Sequence, residues 1–289
     1  MPELRLLRAG DEAALDTFLA GHADTSMFLR ANARTAGLMD RGEPLQGTYV
    51  ATFEGGRIAG VAAHYWNGMV LVQAPEREHA AAAAREAVRR SGRPVTGFSG
   101  PWDQVVTARQ GLGLASAPAL KDSRDELYVV DLARLALPTG LAAGELRCRH
   151  PAAGELDLLA DWRVRFSIEA LGAVDGPELR RASRADVLLH HDRGADWVLV
   201  ADSRPVSYAV FNAMLPEIVQ IGGVWTPPEC RGRGYARSVV AGSLVAARKQ
   251  GVQRAVLFAD PLNAAARAAY LALGFRIVGD YGLVLLAPA

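Results

Sequence analysis

The chain has 289 residues, enough for two domains of ordinary size, and 50% of them are hydrophobic, so a substantial core is expected. Its 32 basic and 31 acidic residues nearly cancel, which argues against a nucleic-acid-binding protein, since such proteins normally carry a surface of one charge. Cys148 and Cys230 have no metal-ligand spacing, so we expect two reduced thiols and no metal. The chain shows neither a signal peptide nor an apolar run long enough to span a membrane, which predicts a cytoplasmic protein without a membrane partner.

In chain order, short apolar runs alternate with segments of helical periodicity, which predicts an α/β protein with a mixed sheet. The segment 133–144 contains Pro138, Gly140 and Gly144 and reads as a linker. It separates two predicted domains, 1–135 and 145–289. The predicted strands are 4–8, 48–53, 57–65, 69–73, 94–98, 127–132, 145–150, 197–201, 206–211, 217–225, 254–259 and 281–286, and the main predicted helices are 11–20, 78–90, 101–110, 154–170 and 235–250.

A glycine-rich loop follows the strand at 217–225. It has the form Arg-x-x-Gly-x-Ala, from Arg231 to Ala236, and it opens a predicted helix. Glycines let the backbone approach a bound group, and the free amides of a helix N-terminus favour an anion such as pyrophosphate. The pattern lacks the third glycine of a dinucleotide-binding fingerprint and the Gly-Lys-Ser/Thr of a P-loop.

A second motif follows the strand at 254–259. Its form is Asn-x-x-Ala-x-x-x-Tyr-x-x-x-Gly-Phe, with Asn263, Ala266, Tyr270, Gly274 and Phe275 at the defining positions. Asparagine suits a helix N-cap, and glycine suits the left-handed position after a helix. The tyrosine follows the asparagine by seven positions, which is two helical turns and places both side chains on one face.

Together the two motifs resemble the signatures of the GNAT superfamily of acyl-CoA-dependent N-acyltransferases. The resemblance implies two tandem GNAT-like units, with acetyl-CoA as cosubstrate of the second. The first unit resembles a GNAT only in the order of its elements, because the residues after Gln73 include no Gly-x-Gly loop and place acidic side chains where pyrophosphate would bind. We therefore interpret the first unit as a degenerate copy that has lost acyl-CoA binding.

The resemblance also implies roles for individual residues. Tyr270 would be the general acid that protonates the leaving thiolate. The general base is open: Gln220 occupies the position where many GNAT enzymes have a glutamate, and Glu217, Glu169, His190, His191 or a water chain are alternatives. The residues implied in acetyl-CoA binding are Val224, Trp225, Thr226, Arg231, Gly232, Arg233, Gly234, Tyr235, Ala236, Asn263 and Ala266.

The sequence thus predicts an N-acetyltransferase that acts on a primary amine of a small molecule, as a monomer or homodimer. Two alternatives stay open at this point. One is an acyl-CoA-binding pseudoenzyme or sensor. The other is a transferase for a longer acyl group, a protein amine or an O-acceptor.

Overall fold

The computed structural model describes residues 3–287, which fall into two compact units. Of these residues, the first unit comprises 3–125 and 280–287, and the second comprises Glu126–Gly279. The predicted domains, 1–135 and 145–289, follow chain order. The compact units do not, because the last strand of the chain belongs to the first unit.

The first unit contains a mixed sheet with helices on its faces. Its elements are β1 (Glu3–Leu6), α1 (Glu12–Ala20), α2 (Met27–Ala36), β2 (Gly47–Glu54), β3 (Arg57–Tyr65), β4 (Met69–Gln73), α3 (Arg77–Ser91), β5 (Gly97–Pro101), α4 (Trp102–Gly111) and, from residue 280 onward, β12 (Arg276–Leu286). The strand order is β1-β2-β3-β4-β5-β12. The β4–β5 pair is parallel, and the other neighbouring pairs are antiparallel.

The two faces of this first sheet carry separate hydrophobic clusters, because successive side chains of a strand point to opposite faces. Val72 and Phe98 pack with Ala83 of α3 on one face. Tyr49 packs with Leu15 of α1 on the other face. The alanines of α3 let this helix approach the sheet closely.

The second unit is built in the same way. Its elements are the end of β6 (Ala119–Asp131), α5 (Thr139–Ala142), β7 (Arg147–Arg149), α6 (Leu156–Leu171), α7 (Pro177–Asp192), β8 (Asp196–Ala201), β9 (Arg204–Met214), β10 (Ile218–Trp225), α8 (Tyr235–Lys249), β11 (Arg254–Ala259) and α9 (Ala264–Ala272). The strand order is β6-β11-β10-β9-β8-β7. The β10–β11 pair is parallel, and the other neighbouring pairs are antiparallel.

Two helical layers also cover the second sheet. Ile221 packs with Leu244 of α8 on one face. Val210 packs with Leu159 of α6 and Val187 of α7 on the other. Strand β10 therefore has one face toward α8 and the other toward the α6–α7 pair.

Candidate active site

Strands β10 and β11 separate part-way along their length. Their parallel pairing ends at Gln220 and Val256, whereas β10 continues to Trp225 and β11 to Ala259. The register of β10 against β9 also shifts, and Gly223 has a φ of 55°. Backbone amides and carbonyls that leave a sheet ladder need other partners. The opening between the two strands can therefore receive an extended ligand that pairs with the backbone of β10.

The glycine-rich loop lies directly after β10. Gly232 and Gly234 have φ values of 77° and 75°, in the left-handed region that favours glycine. No atom lies within 4 Å of a Cβ placed on Gly232, so the loop faces open space. Gly234 is the N-cap of α8, and the amides of the first helical turn, at Tyr235 and Ala236, have no acceptor within the helix. With the positive end of the helix dipole, these amides favour an anionic ligand.

A cavity of about 350 Å³ lies beside this loop. Two arginines, Arg233 and Arg237, line it at the N-terminus of α8. Arg237 Nε is buried and has no hydrogen-bond partner among residues 3–287. These groups fit a phosphate-bearing ligand. The cavity is lined by Pro138, Thr139, Gly140, Glu145, Leu146, Arg233, Gly234, Tyr235, Arg237 and Ser238.

Arg231 connects the glycine-rich loop to neighbouring residues of the second unit. Its Nε donates to Thr226 O over 3.0 Å, and its Nη2 donates to Glu169 Oε2 of α6 over 2.9 Å. The guanidinium lies 4.9 Å from the centre of the Trp225 ring. Thr226 Oγ1 is in turn 2.9 Å from Ser207 Oγ. Arg231 therefore ties the loop to the helix that covers the opposite side of β10.

Tyr270 lies in the same hydrophobic cluster as the partly buried side chains of Val224 and Ala266. Its ring packs edge-on against Tyr128 at 5.6 Å and at a tilted angle against Phe275 at 5.9 Å, measured between ring centres. Burial raises the pKa of Tyr270 to about 12. Tyr270 of the second motif is thus part of the core cluster of the second unit, and burial keeps its phenol protonated at neutral pH.

Asn263 caps α9. Its Oδ1 accepts a hydrogen bond from Ala266 N over 3.0 Å, which satisfies one of the unpaired amides of the helix N-terminus. Gly274 follows the helix with a φ of 92°. These two residues mark the start and the end of α9, the helix that carries Tyr270.

The candidate bases are scattered. Gln220 is buried; its Nε2 donates to Ile221 O over 2.7 Å, and its Oε1 has no hydrogen-bond partner among the described residues. Glu217 immediately precedes β10, whereas the glycine-rich loop follows Trp225 at the other end of this strand.

Other predicted candidates are held by contacts within the second unit. Glu169 pairs with Arg231, as described above. His191 Nδ1 lies 3.1 Å from Oδ2 of the fully buried Asp196. His190 Nδ1 lies 2.7 Å from Asp186 O, and burial lowers the pKa of its ring, so this imidazole is neutral at neutral pH.

Sequence reasoning missed an ion pair on the α6–α7 face of β10. Arg163 Nε lies 2.7 Å from Asp186 Oδ2. Arg163 Nη1 lies 3.5 Å from the position of a Cβ on Gly223. The two charged residues belong to different helices, 23 positions apart, so no local pattern in the sequence predicts this contact.

The corresponding place in the first unit is closed. A Cβ on Gly100 of β5 would stand 2.5 Å from Val72 O of β4, so these two parallel strands stay in contact near their ends. The Ala74 amide that follows β4 donates to Gln104 Oε1 over 2.6 Å. Glu76 stands before the first turn of α3, where a phosphate would meet its negative charge.

Within residues 3–287, no group of three or more His, Cys, Asp or Glu side chains has an arrangement that would hold a metal ion. No helix in this described part of the chain is both long and apolar enough to cross a membrane. Both cysteines are free.

Residues 157–275 match the Acetyltransferase (GNAT) family. This segment, which contains the loop and Tyr270, is therefore a GNAT-family acetyltransferase domain. GNAT acetyltransferases use acetyl-CoA as cosubstrate. No curated protein sequence matches the chain significantly.

Solved structures establish the fold of the whole chain. A Drosophila protein aligns with a TM-score of 0.70 and 13% identity over 100% of this chain and 99% of its own. A GCN5-related N-acetyltransferase from Kribbella flavida aligns with a TM-score of 0.57 and 15% identity over 94% and 96%. A tandem GNAT protein from the clavulanic acid biosynthesis pathway aligns with a TM-score of 0.53 and 15% identity over 100% of both chains. The predicted fold, two GNAT-like units in tandem, is confirmed.

Proposed function

We propose that the second unit is an acetyl-CoA-dependent N-acetyltransferase acting on a primary amine. The observation that carries this proposal is the convergence of three features in one unit: the gap between β10 and β11, the open glycine loop at the N-terminus of α8, and Tyr270. The amine attacks the thioester directly in a ternary complex.

The residues around the gap would hold acetyl-CoA. The backbone of Val224 and Thr226 would pair with its extended arm, beside Trp225. The amides from Gly232 to Ala236, with Arg233, would hold its pyrophosphate. Asn263 and Ala266, at the start of α9, would line the arm. Arg231 would act on the loop, through Thr226 and Glu169.

Acetyl-CoA supplies the electrophilic thioester carbonyl and the thiolate leaving group. Tyr270 donates its phenolic proton to the departing sulfur, and its raised pKa keeps that proton available throughout the neutral and mildly alkaline range. Backbone amides of the distorted end of β10 polarise the carbonyl.

No carboxylate occupies the position of Gln220, and a neutral amide does not act as a base. We therefore assign removal of the ammonium proton to water in contact with backbone carbonyls, and we do not assign it to Glu217. The first unit, whose strands stay in contact at the corresponding position, would be a scaffold without an acyl-CoA site.

The proposal is tested by amine-dependent release of CoA thiol from acetyl-CoA, with mass spectrometry of the product. We expect release that depends on a primary amine and a product heavier by one acetyl group. Release without any amine, or acetylation of a hydroxyl in preference to an amine, would contradict the proposal.

One observation favours a second candidate, an acyl-CoA-binding protein without turnover: the amide of Gln220 stands where a base is expected. The same assay separates the two functions when it is combined with calorimetric titration of acetyl-CoA. Binding accompanied by amine-dependent release supports the transferase, whereas binding without release from any amine supports the sensor.

A further inference from the structure

The guanidinium of Arg163 lies at the bend of β10, on the face covered by α6 and α7. Its Nε is in an ion pair with Asp186 Oδ2 at 2.7 Å. Its Nη1, one of the two terminal nitrogens, lies 3.5 Å from the position that a Cβ on Gly223 would occupy. One edge of the guanidinium is thus anchored to α7, and the other is directed at the distorted part of the strand.

Buried donors lie on the same face. Tyr208 on β9 pairs in register with Trp225 on β10, and both side chains belong to the cluster beneath α6 and α7. The Tyr208 hydroxyl and Trp225 Nε1 are buried and have no hydrogen-bond partner among residues 3–287, although the side chains are only 2% and 5% exposed. Buried polar groups of this kind normally have partners. A ligand that accepts hydrogen bonds would supply them.

Contacts and charge link these donors to Arg163. Phe166 packs edge-on against Trp225 at 6.5 Å between ring centres, and the Arg163 guanidinium lies 5.1 Å from the Phe166 ring centre. Burial raises the pKa of Tyr208 strongly, which keeps its hydroxyl a donor, and the charge of Arg163 acts on it in the opposite direction.

Two acidic residues lie near this face. Asp186 is paired with Arg163, and Oδ2 of the buried Asp196 lies 3.1 Å from His191 Nδ1. Asp196 Oδ1 lies 3.8 Å from His150 Nδ1 and has no hydrogen-bond partner among residues 3–287. The charged group that faces the bend of β10 is therefore the guanidinium of Arg163. No carboxylate atom is among the nearest contacts of a Cβ placed on Gly223.

We propose that the acceptor of this enzyme is a primary amine that carries a carboxylate, of the amino-acid type, and that Arg163 binds this carboxylate. This inference rests on the proposed acetyltransferase function. A planar guanidinium with one edge fixed by Asp186 presents its remaining donors in the geometry of a carboxylate. Holding the carboxylate there places the amine beside the bend of β10, where the amide bond forms as the thioester C–S bond breaks and Tyr270 gives its proton to the sulfur.

The test compares amines that differ only in the carboxylate. The pairs are L-phenylalanine with phenethylamine, L-tyrosine with tyramine, L-histidine with histamine and L-lysine with cadaverine. The full chain is assayed for CoA release at saturating acetyl-CoA, and kcat and KM for the amine are separated. We expect kcat/KM at least ~10-fold higher for the carboxylate-bearing member of the preferred pair, since a hydrogen-bonded charge contributes about this much.

Variants assign the preference to Arg163. Arg163→Gln should raise KM for the carboxylate-bearing amine by ~10- to 100-fold, leave the decarboxylated partner within ~3-fold and leave the acetyl-CoA dissociation constant unchanged. Arg163→Lys should raise this KM less than Arg163→Gln does, since lysine keeps the positive charge but lacks the planar set of donors of a guanidinium. The matched control is Arg165→Gln, on the same helix, whose guanidinium pairs with Asp161 at 2.9 Å and is half exposed.

Equal or better use of the decarboxylated amines, or an unchanged KM in Arg163→Gln, would overturn the assignment. A preference for succinyl-CoA over acetyl-CoA that disappears in Arg163→Gln would move the carboxylate to the acyl group and also overturn it. Turnover of other amines but of no carboxylate-bearing amine would overturn this inference alone, whereas failure to bind acetyl-CoA, or binding without turnover of any amine, would remove the proposed function itself.

Discussion

Burial keeps the phenol of Tyr270 protonated up to a higher pH. An exposed tyrosine has a pKa of about 10 and begins to lose its proton in mildly alkaline solution. Packed against Tyr128 and Phe275, Tyr270 has a pKa of about 12. The neutral phenol is the form that can protonate a thiolate, so a raised pKa extends the pH range in which the acid is available.

Tyr270→Phe removes this proton and keeps the ring. We expect kcat to fall by ~100-fold or more, the usual contribution of a general acid, with little change in acetyl-CoA affinity. The kcat of the unaltered protein should show no loss between pH 8 and about 10 that is due to this group, because its pKa lies above that range. Steady-state kinetics across pH measure both effects.

Tyr128→Phe is the matched control for that experiment, since it removes a hydroxyl from the ring that packs against Tyr270. The Tyr128 hydroxyl donates to Glu126, which also pairs with Arg267 at 2.7 Å. The control should keep most of the rate. Equal losses in the two variants would mean that the Tyr270 hydroxyl has no role beyond packing.

At the residue scale, the two motifs predicted the local geometry of the glycine-rich loop and of α9. The loop glycines, Asn263 and Tyr270 lie where a local pattern of turn, cap and helical spacing places them. The role of Glu217 as a base stays a prediction: this residue precedes β10, and the loop follows the other end of the strand. The sequence could not predict the contact between Arg163 and Asp186, because it depends on how two helices pack.

At the level of elements, a glycine on α8 determines how closely this helix meets β7. A Cβ on Gly242 would stand 2.3 Å from the Cβ of Cys148, far inside normal contact. The Cys148 thiol donates to Val239 O of α8 over 3.7 Å, and burial raises the pKa of this thiol to about 12. The cysteine is therefore a packing residue with little thiolate at neutral pH.

Gly242→Ala should destabilise the protein by ~1–3 kcal/mol, the usual cost of adding a methyl group to a filled core. The control is Gly154→Ala, because a Cβ on Gly154 meets no atom within 4 Å and the residue lacks a positive φ. Urea unfolding followed by circular dichroism measures the difference. Equal midpoints for the two variants would show that α8 can shift away from β7 at no cost.

Asn263→Ala tests the cap of α9. Loss of the hydrogen bond to Ala266 N should reduce stability by ~1 kcal/mol, as for other N-cap asparagines. The free energy of unfolding measures the cap, and the acetyl-CoA dissociation constant of the folded variant measures any contact with the cosubstrate. An unchanged free energy of unfolding would show that water replaces the cap.

Several elements were predicted closely, and others were missed for physical reasons. The bounds of β3, β4 and β11 match the predicted 57–65, 69–73 and 254–259, because turn residues flank compact apolar runs. No bounds were predicted for α7, since its buried positions are Ser183, Val187 and His190, a stripe in which two of three residues are polar. The predicted 127–132 is only the end of β6, because the polar residues before it gave no apolar signal.

For the whole molecule, buried tyrosines link stability to alkaline pH. Burial raises the pKa of Tyr270 and Tyr281 to about 12, and it also raises those of Tyr49, Tyr65 and Tyr208. Each unfolded phenol titrates near pH ~10, so the stabilisation is complete below that pH and is lost as pH rises toward the folded-state pKa.

We therefore expect the urea midpoint to be steady from neutral pH to about 9.5 and to fall steeply above about pH 10. Near-ultraviolet tyrosinate absorbance should rise together with unfolding. Tyrosinate that forms fully while the circular dichroism stays native would contradict the burial of these phenols.

The division into units could not be predicted at the scale of the whole chain. An apolar run identifies a strand, but it does not identify the strand's partner. Residues 126–131 of β6 pair with β11 in the second unit, and residues 281–285 of β12 pair with β5 in the first. Predicted boundaries that follow chain order, at 135 and 145, therefore assign these two strands differently from the compact units.

We propose that one unit of the pair binds acetyl-CoA, through the loop at the N-terminus of α8. Calorimetric titration of acetyl-CoA into the full chain measures this binding. We expect one site per chain, lost in Gly234→Asp and kept in Gly251→Asp, a control with the same added charge at a glycine of φ 97° at the other end of α8. Two sites per chain, no site, or equal loss in both variants would contradict it.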